Sequence, residues 1–442
     1  MRDTTHRIRS RRLCTLALVT FLGAIGRASA ESPDAWISDR LDEYVQLYRH
    51  FHAHPELSFH ERETAARLAE ELRARDCEVT ADVGGHGVVA LLRNGEGPTV
   101  MWRCDLDALP VTENTGLQYA SKVRIERDDG AHVGVMHACG HDVHITNLIA
   151  VAGYLASHRD RWAGTVMFIG QPAEERGAGA QDMLDAGLFR KFPKPDYALA
   201  LHVDATLPTG MVGYRGGWAM ANVDSCDITV RGRGGHGSFP QGCIDPIVQA
   251  AELVLSLQTI VSRELSPLEP AVVTVGSIHG GTKHNIIPDS CHLQLTIRSY
   301  DADVREQIKQ SIVRRANAVA ENYRAPEPTV EFSDGTPAVF NHEQLTERVV
   351  AAIGDELGAD KLIPAERSMG GEDFSRFALA GVPVCMFRLG AVDRARLDAF
   401  AQRGIGPPTL HSAEFYPEPR ETLRCGVRAA VAALIELLPP EQ

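Results

Sequence analysis

Short, almost wholly apolar segments recur along the chain, separated by segments whose apolar residues have helical spacing. The apolar runs are VVALL (88–92), TVMW (99–102), TVMFIG (165–170), YALALHV (197–203) and VCMFRL (384–389). Runs of this length are typical of strands buried on both faces of a sheet. The segments 61–76 and 144–158 have the spacing of amphipathic helices. This alternation predicts an α/β fold with a mostly parallel sheet.

The order of predicted strands and helices changes at about Asp224. From there to residue 332 the chain reads as strand, helix, two strands, helix and strand. The order β-α-β-β-α-β is that of a ferredoxin-like unit, and the α/β pattern then resumes. We therefore expect one α/β domain, formed by residues 31–220 and 333–442, interrupted by a smaller α+β domain at residues 221–332.

The first thirty residues have the layout of a signal peptide. A basic start is followed by the apolar run LCTLALVTFLGAIG and by the small residues ASA before Glu31. Arg11 and Arg12 resemble a twin-arginine signal, although a general secretory signal with a basic start fits equally well. Either route predicts an exported protein, periplasmic or secreted.

Removal of residues 1–30 takes six arginines and one aspartate from a chain of net charge −13, which leaves −18. Such an acidic chain argues against binding nucleic acid or an anionic membrane. No later segment approaches eighteen continuous apolar residues, so we expect no membrane contact after the signal is removed. The cysteines are widely spread and do not predict a disulfide scaffold, although a single bridge remains open.

Groups able to bind a metal follow several predicted strands. They are Asp105 and Asp107, the pair Cys139 and His141, the pair Glu174 and Glu175, and His202. Ligands in open α/β sheets bind beyond the carboxyl ends of the strands, where these side chains would meet. Cys139 and His141 would diverge on a helix, but Gly140 permits a turn on which they converge.

Each group also has an ordinary structural explanation. Glu174 and Glu175 would suit a solvated first helical turn, and a lone histidine such as His202 is more often satisfied within a core. Their convergence favours a metal. Mixed Cys, His and Glu ligands fit zinc, manganese or cobalt, and their number exceeds the needs of one tetrahedral ion. Two ions roughly 3.5–4 Å apart would suit hydrolysis.

Seven motifs, read together, resemble the aminoacylase-like and carboxypeptidase-like metallopeptidases, in their amidohydrolase branch. The motifs are RCDLDALP, MHACGHD, QPAEE, RGRGGHGSFP, HNIIPD, GGEDFS and LHS. That branch includes hippurate hydrolase, auxin-conjugate amidohydrolases and N-acetyldiaminopimelate deacetylase. The resemblance implies that the α/β domain is a dinuclear-metal hydrolase and that the inserted domain serves as a lid and for dimerisation.

The resemblance also assigns roles to residues. The implied ligands of the two divalent metal ions are Cys139, His141, Glu175, His202 and His411. Cys139 would bridge the ions, and Glu174 would act as the general base. Asp107 would orient a metal-ligating imidazole. Asp105 occupies a position where related branches of the family have a ligand, and its role here stays open. His144 and Asp142 could equally support the metal ligands or be structural.

Further residues are implied for the lid and the pocket. His236 would reach the catalytic centre of the partner subunit and stabilise the oxyanion, with an ordinary loop histidine as the alternative. Asn285 and Arg298 would bind the substrate carboxylate. Gly371, with Gly370 and Glu372 beside it, would shape the pocket wall.

The predicted function is hydrolysis of the amide bond of N-acyl amino acids by a hydroxide bound to the metals. A dipeptidase or carboxypeptidase on the same scaffold is the alternative, and Asp204 would then hold the free amine of the substrate. Two more distant alternatives are a non-catalytic binding protein and a zinc-stabilised structural module. Arg176, Asp204 and residues 393–408 depart from the family pattern around the pocket.

Overall fold

The computed structural model describes residues 1–2, 31–126, 130–333 and 335–440. The predicted signal peptide therefore lies almost wholly outside the described residues. The strands are β1 (Glu78–Thr80), β2 (Val88–Asn94), β3 (Thr99–Asp105), β4 (Arg124–Glu126), β5 (His132–Gly134), β6 (Gly164–Gln171), β7 (Tyr197–Pro208), β8 (Val212–Tyr214), β9 (Gly217–Met220), β10 (Asn222–Arg231), β11 (Gly235–His236), β12 (Val272–Gly280), β13 (Ile286–Ile287), β14 (Ser290–Ser299), β15 (Thr329–Phe332), β16 (Val339–Asn341), β17 (Leu362–Pro364) and β18 (Val384–Val392). The helices are α1 (Pro33–Ala53), α2 (Arg62–Arg73), α3 (His141–Ser157), α4 (Gly179–Asp185), α5 (Leu188–Lys191), α6 (Pro246–Arg263), α7 (Ala302–Asn322), α8 (Glu343–Leu357), α9 (Ser375–Leu379), α10 (Arg394–Gln402) and α11 (Pro419–Leu437).

The larger sheet has eight strands in the order β1-β2-β6-β3-β7-β18-β8-β17. Its centre, from β6 to β18, is parallel, as the apolar runs predict. The pairings β1–β2, β2–β6 and β18–β8 are antiparallel, so the sheet is mixed. The central strands are buried because helices cover both faces. Helices α1, α2, α3, α8 and α11 pack on one face, and α4, α5 and α9 lie on the other.

The second sheet has four antiparallel strands in the order β12-β14-β10-β15. Helices α6 and α7 pack on it and form a separate apolar core. The chain order β10-α6-β12-β14-α7-β15 is the ferredoxin-like order that the sequence pattern predicts. A short ribbon of β9 and β16 connects this part of the chain to the larger sheet.

Two further observations concern membrane-spanning helices and disulfides. No helix among the described residues is long and apolar enough to cross a membrane. The eight cysteines in the described part of the chain are free thiols, and all except Cys243 are buried.

Candidate metal centre

The HACGHD segment makes a sharp turn directly before α3. Gly140 has a φ of +77°, in the left-handed region that favours glycine. A Cβ at this position would lie 2.5 Å from Cγ2 of Val203, so a side chain would also collide with β7. The turn places Cys139 and His141 on the same side, as the sequence prediction requires.

Cys139, His141 and His202 form the first group of ligand atoms, all within 4.8 Å of one another. The Nδ1 of His141 donates to the backbone carbonyl of Asp107 at 2.8 Å, and the Nδ1 of His202 donates to the carbonyl of Val203 at 2.8 Å. These bonds select the tautomer in which each Nε2 carries a free lone pair, which is the form that binds a metal.

Cys139, Glu175 and His411 form the second group within the same 4.8 Å limit. The Nε2 of His411 lies 3.4 Å from Oε2 of Glu175. Cys139 belongs to both of these groups, so its thiol is placed to be shared by two ions. Other groups within the same limit also occur, and His141 takes part in at least three groups. The two groups together contain all five ligands that the family resemblance implies.

The chemistry of these atoms fits a pair of cations. The Nε2 of His141 and Oε1 of Glu175 are buried, lack a hydrogen-bond partner within the described structure, and lie 3.9 Å apart. Buried polar atoms without partners are costly unless something else binds them. Burial, together with the charges of Glu175 and Glu174, raises the pKa of the Cys139 thiol well above its ordinary value. A thiolate at this position therefore needs cations beside it.

Glu174 begins the short turn Glu174–Arg176 that follows β6. Its carboxylate lies within 4.8 Å of the ligand atoms of His141 and Glu175. Burial, with the charges of Glu372 and Glu175, raises its pKa well above the usual value. A carboxyl group with a raised pKa is suited to take a proton from water and to pass it to a leaving amine.

Glu61 and Ser58 hold the backbone on both sides of Glu174, and the sequence reasoning missed them. Oε1 of Glu61 accepts the backbone N–H of Ala173 at 2.7 Å. Ala173 has a φ of +48°, which is strained for a residue with a side chain. Ser58 donates to Oδ2 of Asp107 at 2.7 Å, and the same oxygen accepts the backbone N–H of Glu175 at 3.0 Å.

The carboxylate of Asp107 has a different contact from the one expected. The imidazole of His141 is held by the backbone carbonyl of Asp107, and the nearer carboxylate oxygen, Oδ1, lies 3.5 Å from Nδ1. The carboxylate mainly fixes the Glu175 amide. Asp107 thus supports two implied ligands, one through its backbone and one through its side chain.

Asp105 and His144 belong to a buried network beneath the centre. The Nδ1 of His144 donates to Oδ1 of Asp105 at 2.6 Å, and its Nε2 accepts the backbone N–H of Val203 at 3.0 Å. Both nitrogens are occupied, so His144 has a structural role. Asp142 accepts a hydrogen bond from His52 at 2.7 Å and lies away from the ligand groups.

Arg103 is fully buried at the centre of this network. It donates to Asp105 at 2.9 Å, to Glu372 at 3.0 Å and to Asp373 at 3.2 Å. Glu372 thus contacts a buried guanidinium and does not shape the pocket wall as expected. Arg103 lies within the strand-like run TVMWRC, where a basic residue among apolar ones is the only signal that could have identified it.

A cavity of about 820 Å³ opens over the metal-ligand groups. Cys139, Glu174, Glu175, His202 and His411 line one end of it. A cavity of this size accommodates a substrate of the dimensions of an acylated amino acid or a small peptide.

The residues implied for substrate binding are divided between two places. Arg298 and Gly371 line the cavity, and a Cβ on Gly371 would lie 2.4 Å from Cγ2 of Val223. His236 and Asn285 lie outside this lining. They are close to each other at the exposed two-stranded ribbon of β11 and β13, where the N–H of Gly237 donates to the carbonyl of Asn285 at 2.9 Å.

Comparison with known proteins agrees with this geometry. The sequence profile of peptidase family M20/M25/M40 matches residues 101–399. Thermostable carboxypeptidase 1 of Saccharolobus solfataricus is 37% identical over 353 residues, covering 79% of this chain and 86% of that protein. The N-acetyl-L-cysteine deacetylase of Bacillus subtilis is 36% identical over 353 residues, covering 78% and 80%.

A solved structure also resembles the chain. It is the Bacillus subtilis YXEP protein, described as a dinuclear metal binding peptidase from the M20 family, with 29% identity and a TM-score of 0.73. The match covers 91% of this chain and 99% of that one. The chain therefore belongs to peptidase family M20/M25/M40, and it is a hydrolase of amide bonds with groups of residues that could hold metal ions.

Proposed function

We propose that the protein hydrolyses the amide bond of N-acyl amino acids. An N-acyl amino acid is favoured over a dipeptide because the carboxylate of Asp204 already has partners within the chain. Among the described residues that line the cavity, it is the one carboxylate outside the metal centre and the base. Its Oδ2 already pairs with Nη1 of Arg388 at 3.3 Å, and its Oδ1 accepts two bonds from Thr206. A free α-amino group would therefore find no unpaired acidic partner, whereas an acylated nitrogen needs none.

Each part of the proposed reaction is assigned to particular residues of this chain. Cys139, His141, Glu175, His202 and His411 would hold the two metal ions, which would supply Lewis-acid polarisation of the amide carbonyl and a lower pKa for the attacking water. Glu174 takes the proton of that water and passes it to the leaving nitrogen. Arg298 pairs with the carboxylate of the substrate, which fixes the scissile bond over the centre.

The test is the release of free amine by residues 31–442 loaded with zinc, manganese or cobalt, from a panel of N-acyl amino acids and dipeptides. Glu174→Gln should keep two metals per chain and lose roughly a thousandfold or more in kcat. Glu366→Gln, at an exposed site, should retain turnover. Release from dipeptides alone would favour the peptidase alternative.

We also propose that two copies associate through the second sheet. Strand β12 is an edge strand whose outer side has no partner among the described strands, and Ile278 on it is 48% exposed. Phe239, Val248 and Ile286 are exposed in the same part of the chain. Apolar edge strands pair readily with a second chain. Such a dimer would give His236 and Asn285 a route to the cavity of the partner subunit, since they do not line their own.

A further inference from the structure

The cavity contains more positive charge than a simple acylated amino acid would neutralise. Outside the metal centre and the base, its charged lining residues are three arginines and one aspartate, namely Arg176, Arg298, Arg388 and Asp204. Arg388 is the register partner of His202 on the neighbouring strand, so it stands directly beside the metal centre. Its charge is matched by Asp204.

The other two guanidinium groups have no carboxylate partner among the residues that the structure describes. Arg298 donates from Nε to the carbonyl of Met369 at 3.2 Å, and from Nη1 to Thr296 at 2.5 Å and the carbonyl of Ile297 at 2.9 Å. Arg176 makes no hydrogen bond or ion pair within the described part of the chain. It follows the implied ligand Glu175 directly, at the exposed edge of the cavity.

An N-acyl amino acid brings one carboxylate, and Arg298 is the residue that we expect to hold it. As far as the described residues go, Arg176 then remains a cation without a matching carboxylate in the same cavity. A cation that lines a cleft without an internal counter-ion favours ligands that supply the missing charge. The planar guanidinium is suited to a carboxylate, which it can bind through two parallel hydrogen bonds.

We propose that the preferred substrates carry a second carboxylate, on the side chain of the amino acid or on the acyl group, and that Arg176 pairs with it. This inference rests on the proposed function, because it names a subclass of N-acyl amino acids. It requires no additional chemical step, since the second carboxylate takes part in binding alone.

The experiment compares near-isosteric pairs of substrates on the metal-loaded enzyme. N-acetylglutamate against N-acetylglutamine tests a side-chain carboxylate, and N-succinyl-leucine against its terminal amide, N-succinamoyl-leucine, tests an acyl carboxylate. We expect kcat/KM to favour the dianionic member of at least one pair by about tenfold. The pair that shows the preference identifies where the preferred substrate carries its second carboxylate.

The variant Arg176→Gln should reduce that preference to near unity, mainly through a higher KM for the dianion. Arg190→Gln is the matched control, because Arg190 is exposed and lies outside the cavity lining. Equal kcat/KM within both pairs, or a preference that survives Arg176→Gln, would overturn the inference while leaving the proposed function intact. No amine release from any acyl amino acid would overturn both.

Discussion

Cys139 is the residue common to the group with His141 and His202 and the group with Glu175 and His411. A serine hydroxyl is a poorer ligand than a thiolate for zinc-like ions, so Cys139→Ser should weaken both sites at once. We expect fewer than two bound metals per chain by elemental analysis and a loss of roughly a hundredfold or more in turnover.

The matched control is Cys243→Ser, which changes a half-buried free cysteine outside the cavity lining. It should leave metal content unchanged. A Cys139→Ser protein that retains two metals and full turnover would show that the thiolate is not a shared ligand.

Some of the site residues can be identified from sequence patterns, and others cannot. Cys139, Glu175 and His202 follow apolar runs or an unusual motif, so their positions in the chain mark them. His411 follows an irregular segment and is identified by the family resemblance alone. Glu61 left no signal, because its hydrogen bond goes to the backbone amide of Ala173, and any residue type could supply that amide.

At the scale of elements, α1 and α3 are joined by a buried ionic contact. His52 on α1 lies 2.7 Å from Oδ2 of Asp142 on α3 and 3.2 Å from Oε1 of Glu113. Burial alone would lower the pKa of His52, but the hydrogen bonds with Asp142 and Glu113 raise it to about 9 from 6.5.

This raised pKa gives the contact a definite pH dependence. A group whose pKa is higher in the folded state stabilises the fold fully below its unfolded pKa, and loses that effect as the pH rises through the folded value. Stability should therefore fall between pH 6.5 and about 9, by an upper bound of roughly 3 kcal/mol.

Thermal unfolding of the wild type and His52→Gln at pH 6, 7.5 and 9 tests this expectation. The Tm difference between the two proteins should be largest at pH 6 and should shrink towards pH 9. The control, His60→Gln, changes an exposed histidine and should follow the wild type. A difference that stays constant across this range would contradict a charged His52.

The elements themselves were largely predictable, and their pairings were less so. The apolar runs mark the central strands because those strands are buried on both faces. The antiparallel pairing of β2 with β6 joins segments about seventy residues apart and places β6 between β2 and β3. Such a partner depends on how the whole sheet packs, and no local pattern encodes it.

At the scale of the whole molecule, the proposed dimer would connect the inserted domain to activity. Ile278→Lys places a charge on the exposed edge strand and should convert the dimer into a monomer in light scattering. If His236 acts in the partner subunit, turnover should fall by roughly tenfold or more in the monomer.

Leu379→Lys is the control, since Leu379 is 70% exposed on α9, away from the second sheet. A wild-type monomer whose specific activity is independent of concentration would rule out a catalytic role across subunits.

Export remains a prediction for the intact chain. We expect the protein to be recovered outside the cytoplasm with Glu31 at its N-terminus, by N-terminal sequencing. Replacing Arg11 and Arg12 by lysine distinguishes the routes, because retention of the precursor would indicate twin-arginine export and unchanged secretion the general route. Full-length protein in the cytoplasm alone would contradict the signal peptide.

The contact between Glu61 and Ala173 joins residues 112 positions apart in the chain. The backbone before Glu174 therefore takes its observed conformation only when the segment before α2 packs beside the end of β6. The conformation that presents the base thus depends on a contact between distant parts of the chain, and a truncated chain that lacks the segment before α2 would not retain it. The same holds for the implied ligand Glu175, whose backbone amide is fixed by Asp107 from 68 positions away in the chain.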